Sequence, residues 1–337
     1  MARIAVIQTA FPGDVILSTP IFEALKSGGH ESVAIVRPSA EPLLRHNPHI
    51  MKIISYDKSA GIRAFFETVA EIRSLECEIA LIVQKHLRSG LLAVFAGIEK
   101  RIGYEIAFGR SLYTQTAPFD RSIHAVKRAL ALCQPLVRTE GFAPRIFIDE
   151  RTRMEAETIL RAHRIAPTKF AVFAPGSIWA TKRWPGYGEL ARLMKTALGY
   201  DIALTGSCDD YEICQRVVSE SGNTAINLAG KTDLLLSAAV IERARLVVAN
   251  DSAPSHIAAA VGTPVAAIFG PTVTRFGFAP YSEKSVVIEN AGLYCRPCSP
   301  HGPNRCPEKH FRCMKEITAE KVAEQCLKLV MQSNAHR

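Results

Sequence analysis

Residues 246–272 read LVVANDSAPSHIAAAVGTPVAAIFGPT, and this stretch decides the fold. Its apolar ends, 246–249 and 265–269, are typical of strands buried in a parallel sheet. Between them the pattern predicts a short helix over 254–261, with Ser252 as a suitable N-cap. The stretch therefore predicts one strand–helix–strand unit, in which the first strand leads through a small polar turn into a helix N-terminus.

Polar residues of this stretch gather around the start of the predicted helix. Asp251, Ser252 and His256 lie there, and Gly270-Pro271-Thr272 follows the second strand. Unpaired N–H groups and the positive end of the helix dipole make such a turn a ready anion site. The spacing favours a nucleotide-diphosphate or nucleotide-sugar site, although an ordinary βαβ unit is the alternative that the stretch alone leaves open.

Strand and helix patterns alternate through both halves of the chain. Its 337 residues exceed the ~250–300 at which single cores stop growing. Short apolar runs alternate with amphipathic segments, so the predicted fold class is α/β, with two doubly wound Rossmann-like domains facing across a cleft. Strands are predicted at 4–7, 33–36, 53–54, 79–83, 170–173, 202–204, 225–228 and 286–289, and helices at 15–26, 60–75, 122–134, 150–163, 187–198 and 317–331.

The composition is that of a globular protein, with 48% hydrophobic and 22% charged residues. No run of roughly 18 uncharged apolar residues occurs, so no transmembrane helix is predicted. The chain passes from Met1 directly into a strand pattern and shows no signal-peptide anatomy. We therefore expect a cytoplasmic protein.

Positive charge is concentrated in the first half. The net charge is +9, and residues 85–130 contain eight Lys or Arg against three acids. Such a surface suits a phosphorylated substrate or an anionic membrane. The alternative interpretation is a solvated surface that binds no partner. Nucleic acid is disfavoured as a partner because no recognised binding motif accompanies the charge.

The first strand leads into a glycine turn and a helix, where Gly13 and Asp14 lie. The dinucleotide pattern G-x-G-x-x-G and the Walker A motif are both absent. Asp14 is then either a structural helix cap or a general base, with Gly13 letting the backbone approach a ligand. Lys85 and Arg88 lie in a loop at another strand end and are candidates to face an acidic substrate, or else ordinary surface side chains.

Nine cysteines occur, and four of them are close together in the sequence. Cys295, Cys298, Cys306 and Cys313 have the spacing C-x2-C-x7-C-x6-C. In a cytoplasmic chain this favours a metal or reduced thiols over disulfides. The spacing leaves open a structural zinc or iron site and a loop-rich segment without metal.

Three motifs together resemble the ADP-heptose:lipopolysaccharide heptosyltransferases. They are Gly13-Asp14-Val15 with Thr19-Pro20, then Pro175-Gly-Ser with Thr181-Lys-Arg-Trp-Pro185, then the stretch 250–272. The resemblance covers nearly the whole chain in the right order, and Phe95-Ala-Gly-Ile with Arg101-x-Gly-Tyr104 is closest to the heptosyltransferase II branch. Ala253 stands where that family usually has glycine.

The resemblance implies a GT-B glycosyltransferase that inverts configuration and requires no catalytic metal. Its expected organisation is an acceptor-binding domain over 1–150, a donor-binding domain over 151–316, and a terminal helix over 317–337 that packs back on the first domain. The expected donor is ADP-heptose. The expected acceptor is the inner core of lipopolysaccharide, which would place the protein at the inner face of the cytoplasmic membrane.

The resemblance also assigns roles to residues. Asp14 is expected to act as the base, and Lys182 to stabilise the departing diphosphate. Gly13, Lys85 and Arg88 are expected at the acceptor. The donor is expected to contact Gly176, Ser177, Thr181, Gly206, Ser207, Glu212, Asp251, Ser252, Ala253 and His256.

Two alternatives to this function remain at the level of sequence. One is a related transferase that modifies a protein or another glycan. The other is a non-catalytic module on the same fold that binds a nucleotide or a glycolipid. A dehydrogenase and a serine hydrolase are disfavoured, because the dinucleotide glycine loop and G-x-S-x-G are missing.

Overall fold

The computed structural model describes residues 1–167 and 169–335. The chain forms two compact units, Met1–Phe147 and Ile148–Arg337. Each unit is built on a six-stranded sheet in which every pair of neighbouring strands is parallel. The predicted α/β class with two doubly wound units is therefore confirmed.

The strands of the first unit, β1–β6, are Arg3–Gln8, Glu31–Val36, Lys52–Ser55, Ile79–Ile82, Lys100–Tyr104 and Gln115–Ala117. Its helices, α1–α5, are Pro12–Ser18, Pro20–Ser27, Gly61–Ser74, Leu87–Phe95 and Ala125–Ala131. The strand order is β3-β2-β1-β4-β5-β6, so the chain starts in the middle of the sheet, extends to β3 and then returns to the other side of β1. Apolar residues from both faces of the sheet pack under the helices, which is why the inner residues of the central strands β1 and β4 are apolar.

The strands of the second unit, β7–β12, are Phe170–Ala174, Asp201–Leu204, Ala225–Asn227, Leu246–Asn250, Val265–Phe269 and Ser285–Glu289. Their order in the sheet is β12-β11-β10-β7-β8-β9. As in the first unit, the strand order reverses between two adjacent central strands, here β7 and β10. The helices α6–α12 are Glu150–Ala162, Tyr187–Leu198, Tyr211–Glu220, Leu234–Arg243, Ala253–Ala260, Arg312–Lys315 and Ala319–Ala335.

The predicted helix over 15–26 is two helices, α1 and α2. The break falls at Pro20, which has no N–H to donate to the carbonyl of Ile16. That carbonyl instead accepts from the backbone N–H and the hydroxyl of Thr19, at 3.1 and 2.8 Å. Strand β5 and the edge strand β6 next to it were not among the predicted strands, because they are short and carry charged or polar residues.

The terminal helix α12 packs within the second unit. Val322, Cys326 and Leu329 are buried in the core that also contains Phe173 and Trp184. This face of α12 is therefore committed to the unit that carries β7–β12. The expectation that the helix also packs on the first unit, and with it the division into 1–150, 151–316 and 317–337, stays a prediction.

The topology of each sheet identifies one place where a ligand is expected to bind. Ligands of open α/β sheets bind at the carboxyl ends of the strands, where the strand order reverses. In the first unit that point lies between β1 and β4, and in the second between β7 and β10. Asp14 and Lys85 follow β1 and β4, while Lys182 and Asp251 follow β7 and β10.

Candidate active site

The reversal point of the second unit contains a buried ion pair. The Lys182 ammonium lies 2.7 Å from Asp251 Oδ2 and donates a second bond to the Asp251 backbone carbonyl at 3.1 Å. Thr272, which follows β11, donates its hydroxyl to the same Oδ2 at 2.6 Å. The three residues are at most 9% exposed. Loops that follow three neighbouring strands therefore meet at one carboxylate, and Asp251 holds them together.

Asn250 is a residue of this site to which no role was assigned from the sequence. It is fully buried at the end of β10. Its side-chain oxygen accepts from the Trp184 N–H and the Tyr187 hydroxyl, both at 3.2 Å. Its amide donates to the carbonyls of Pro175 and Gly176, at 2.9 and 3.3 Å. One polar side chain at the end of an apolar strand thus fixes the loop that carries Lys182, and that polarity was the available signal.

The loops of Gly176 and Gly206, which are expected to bind the donor, pack against the side chain of Asp210. A Cβ on Gly176 would overlap the Asp210 carboxylate, and one on Gly206 would lie 2.7 Å from Asp210 Cβ. Ser207 donates its N–H and its hydroxyl to Asp210, at 2.9 and 2.8 Å. The two glycines thus make room for Asp210, a residue that the sequence reasoning missed. Glu212 is exposed in the first turn of α8.

The turn before Lys182 is tied to the cysteine-rich segment. Thr181 donates its hydroxyl to the Pro303 carbonyl, and its N–H donates to the same carbonyl at 3.3 Å. Trp179 stacks on His301 with ring centroids 6.1 Å apart. Ser177 accepts from the Trp179 N–H at 3.3 Å. The Thr181 hydroxyl proton, which was expected at the donor, is used to hold this loop.

The start of α10 offers fewer N–H groups than a usual first turn. Ser252 occupies the N-cap position, but its hydroxyl donates to the Asn250 carbonyl at 3.3 Å and does not cap the helix. Pro254 has no N–H, and the Ser255 N–H donates to Ser252 at 3.1 Å. Ala253 starts the helix in an ordinary conformation, so its methyl fits there. Of residues 253–255 at the start of α10, Ala253 is the one whose N–H can bind an anion, and the helix dipole favours negative charge at the same place.

His256 lies one position further along α10. It is buried, with 5% of its surface exposed, on the same short helix that follows Asp251. The predicted grouping of Asp251, Ser252 and His256 around the helix start is therefore present. Their contact with the donor stays a prediction.

Arg296 anchors the cysteine-rich segment under this site. Its side chain is 2% exposed and forms an ion pair with Glu289 at 2.7 Å. It also donates to the carbonyls of Phe269, Gly270 and Thr272, the last at 2.7 Å. The guanidinium therefore fixes the backbone of the loop whose Thr272 hydroxyl holds Asp251. An arginine between two cysteines gave no recognisable signal in the sequence.

The four cysteines that are clustered in the sequence are all free thiols. Burial raises the pKa of Cys298, and its neighbours Cys295 and Cys306 raise it further. The pKa of Cys313 is raised to about 11, first by burial and then by Cys298 and Cys306. Within residues 1–167 and 169–335 no group of three or more His, Cys, Asp or Glu side chains is arranged to hold a metal ion. The structural zinc or iron site that the spacing left open therefore stays a prediction.

The reversal point of the first unit is a cationic group around Asp14. Asp14 lies in the first turn of α1, whose N-cap is Phe11, so it is not the capping residue; Gly13 lies inside the same helix. The pKa of Lys85 is lowered by burial and then by Arg128 and Arg121, while the Asp14 carboxylate opposes the shift. The same carboxylate acts on Arg128. Asp14 and these cations are thus near neighbours.

An aromatic ring holds two of these cations in place. Lys85 Nζ lies 4.1 Å from the centre of the Phe119 ring, and the Arg128 guanidinium lies 5.0 Å from it. Arg128 is buried and donates to the Ile123 carbonyl at 2.5 Å. Phe119, Arg121 and Arg128 were not assigned individual roles from sequence.

Arg88 belongs to a second group of cations. It donates to the Lys58 carbonyl at 2.8 Å. The pKa of Lys58 is lowered to about 8, by burial and then by Arg37 and Arg88. Two of the three predicted acceptor residues, Lys85 and Arg88, are thus found in different cationic groups of the same unit.

Comparison with known proteins places these features in a family. The model of glycosyltransferase family 9 (heptosyltransferase) matches residues 66–309. The chain is 28% identical over 313 residues to lipooligosaccharide heptosyltransferase 2 of Haemophilus influenzae, covering 85% of this chain and 88% of that protein. A glycosyl transferase family 9 structure from Veillonella parvula superposes with a TM-score of 0.87 at 24% identity, covering 98% of each chain. The Escherichia coli ADP-heptose LPS heptosyltransferase II structure gives 0.81 at 24% identity, covering 98% of this chain and 99% of that one, so the predicted GT-B fold is confirmed.

Proposed function

Because this chain belongs to glycosyltransferase family 9, the heptosyltransferase family, we propose that it transfers a heptose from ADP-heptose to the inner core of lipopolysaccharide. The observation that carries the proposal is the family match over the residues that form the buried Lys182–Asp251 pair. Relatives named heptosyltransferase 2 support the assignment to the second heptose-adding step. The reaction inverts configuration at the transferred sugar.

Asp14 serves as the general base. It takes the proton of the acceptor hydroxyl as that oxygen forms a bond to C1 of the heptose and the bond from C1 to the ADP oxygen breaks. The neighbouring Lys85 and Arg128 stabilise the carboxylate form that accepts the proton. They also attract an acceptor that carries phosphate and acidic sugar groups.

Lys182 stabilises the ADP leaving group. Its two bonds to Asp251 occupy two of the three ammonium protons, and the third is available for a phosphate oxygen. Asp251 and Thr272 hold the ammonium in place before the donor arrives, which lowers the cost of reorganisation during the reaction. Ala253 supplies a backbone N–H and His256 a side chain from α10, and the loops of Gly176, Ser177, Thr181, Gly206, Ser207 and Glu212 surround the donor.

The acceptor is a glycolipid, so the protein works against a membrane surface. Over the described part of the chain, every helix is too short or too polar to cross a bilayer. We therefore propose peripheral contact with the inner face of the cytoplasmic membrane. The basic residues between 85 and 130 favour an anionic surface.

A structural metal is a separate part of the proposal. Zinc and iron prefer thiolate ligands, and the chain offers four in one segment. Binding would require Cys295, Cys298, Cys306 and Cys313 to approach one another and lose their protons. Metal analysis of the purified protein is expected to show about one bound ion per chain, lost in Cys298→Ser and kept in Cys208→Ser, an exposed cysteine elsewhere. Equal metal content in the two variants would contradict this part.

The test of the function is ADP release from ADP-heptose in EDTA, with two lipid A acceptors. One acceptor ends in Kdo and the other in heptose. Release that requires the heptose-terminated acceptor supports the second transfer step without a catalytic metal, whereas release with the Kdo-terminated acceptor alone reassigns the protein to the first step. ADP binding without release on either acceptor would favour a transferase for a protein or another glycan, or a non-catalytic module.

A further inference from the structure

A row of large apolar side chains is exposed on the first unit. Ile62 is 67% exposed, Phe66 49%, Leu87 47%, Phe95 45% and Phe108 84%. Single exposed apolar residues are ordinary, but a contiguous set marks an interaction surface. We call these five residues the apolar stripe.

The members of the apolar stripe are neighbours in space. Ile62 and Phe66 lie one turn apart on α3, and the Phe66 ring is 5.9 Å from the Phe95 ring at the end of α4. Leu87 lies two turns before Phe95 on the same side of α4. Phe108 lies next to the start of α4, because its N–H donates to the carbonyl of Lys85 at 3.0 Å and Lys85 is two residues before Leu87. The stripe therefore runs along α3 and α4 to the loop after β5.

Positive charge lies at the Leu87 end of this stripe. Arg88 is the next residue, and its guanidinium contacts the backbone of Lys58. Arg37, the third cation of this group, covers the ring of Phe11 at 5.2 Å. The acids of α3 are matched by their own partners, Glu67 by Arg63 at 2.7 Å and Glu71 by Lys52 at 3.6 Å. The surface thus combines an apolar strip with an excess of positive charge.

We propose that the apolar stripe and the Arg37–Lys58–Arg88 group dock the first unit onto a phospholipid bilayer with anionic headgroups. Apolar side chains on a helix face enter the boundary between headgroups and acyl chains, while cations beside them attract anionic lipid. A second protein copy would match the apolar part but meet the same positive charge. This assignment deepens the peripheral membrane contact proposed above and specifies the residues that make it.

The test is sedimentation of the full-length protein with vesicles, without donor or acceptor. One set of vesicles contains phosphatidylethanolamine and phosphatidylglycerol, and the other phosphatidylcholine alone. Phe66→Ser/Phe108→Ser is expected to lower binding to the anionic vesicles about tenfold. Arg37→Gln/Lys58→Gln is expected to lower it by a similar factor, about tenfold, and to leave binding to phosphatidylcholine unchanged.

A matched control uses exposed apolar residues of the second unit. Met154 and Met331 are 61% and 72% exposed, and Met154→Ser/Met331→Ser is expected to bind vesicles as the parent protein does. Retained ADP binding and melting temperature show that each variant is folded. Equal loss in both serine variants, or vesicle binding by neither parent nor variants, would overturn the proposal. So would concentration-dependent dimerisation that Phe66→Ser/Phe108→Ser abolishes while vesicle binding is unaffected.

The result is separable from the proposed activity. Vesicle binding by a protein that releases no ADP would remove the heptosyltransferase proposal and leave the docking surface. Transfer to a soluble acceptor fragment without vesicle binding would do the reverse.

Discussion

The two units place charge at equivalent points of equivalent sheets, but in different ways. In the second unit Lys182 is paired with Asp251, and hydrogen bonds donated by the side chains of Asn250 and Arg296 hold the surrounding loops. In the first unit Lys85, Arg121 and Arg128 lie around the carboxylate of Asp14. One site is assembled and internally neutralised, while the other carries an excess of positive charge.

This difference in charge indicates that the two sites suit different ligands. The diphosphate of the donor is small and constant in structure, so a rigid site with one preorganised ammonium can bind it. A glycolipid acceptor is large and anionic, and a cationic surface attracts it before any precise contact forms. The four predictions below test this division, from the largest effect to the smallest.

The largest effect is expected for Asp14→Asn. Removing the base should lower turnover by about 10²–10⁴-fold, because the acceptor hydroxyl then has no carboxylate to take its proton. Initial rates of ADP release measure this directly. Glu140→Gln, which removes an exposed carboxylate elsewhere in the first unit, should retain the parent rate. A rate within threefold of the parent (roughly 0.6 kcal/mol in barrier height) would remove Asp14 from the mechanism.

Lys182→Met should reduce kcat by about 10²–10³-fold, since the diphosphate loses its positive partner. It should also lower the free energy of unfolding by about 3–5 kcal/mol, because Asp251 is left as a buried charge without its lysine. Urea unfolding measures the second effect. Lys182→Met/Asp251→Asn should recover part of that stability without recovering activity. Recovery of activity in the double variant would contradict the assigned role of Lys182.

Arg296→Lys should raise KM for ADP-heptose by about tenfold, with a smaller change in kcat. Lysine keeps the charge but loses the planar fork that binds Phe269, Thr272 and Glu289 together. Steady-state kinetics over donor concentration separate the two constants. Arg305→Lys, an exposed change in the same segment, is the control. An unchanged KM would show that the loop does not depend on Arg296.

Ala253→Gly should have the smallest effect. Ala253 already starts α10 in an ordinary helical conformation, so glycine relieves no strain there and only adds flexibility, worth about 0.5 kcal/mol. Activity is expected to stay within about twofold of the parent. A large gain in donor affinity would show that the methyl restricts the turn after all.

Most of the fold follows from the sequence because it depends on short-range pattern. The stretch 246–272 gave β10 and β11 within one residue, and the alternation of strands and helices gave two doubly wound units. The pattern failed where its cause was local. Pro20 divided a helix that periodicity alone would continue. Strand β6 lies at the edge of its sheet, and its neighbour β5 begins with two charged residues, so neither has an apolar pattern.

The candidate site was only partly predictable, since its parts lie far apart in sequence. Motif spacing identified Lys182 and Asp251, but their direct pairing depends on β7 and β10 being adjacent. Arg296 was missed because it fixes the loop through backbone carbonyls of residues more than twenty positions away, such as Thr272. Asp210 has a local signal, since Ser207 and Asp210 have the spacing of a capping box, but its contact with Gly176 depends on a distant loop.

The most direct test of the division between the two units is calorimetric binding of ADP-heptose to the parent protein, Asp14→Asn and Lys182→Met. We expect Asp14→Asn to bind the donor as tightly as the parent does, although its turnover is lowered by about 10²–10⁴-fold. Lys182→Met should bind it more weakly by about tenfold or more. Unchanged donor affinity in Lys182→Met, with lost affinity in Asp14→Asn, would contradict the account.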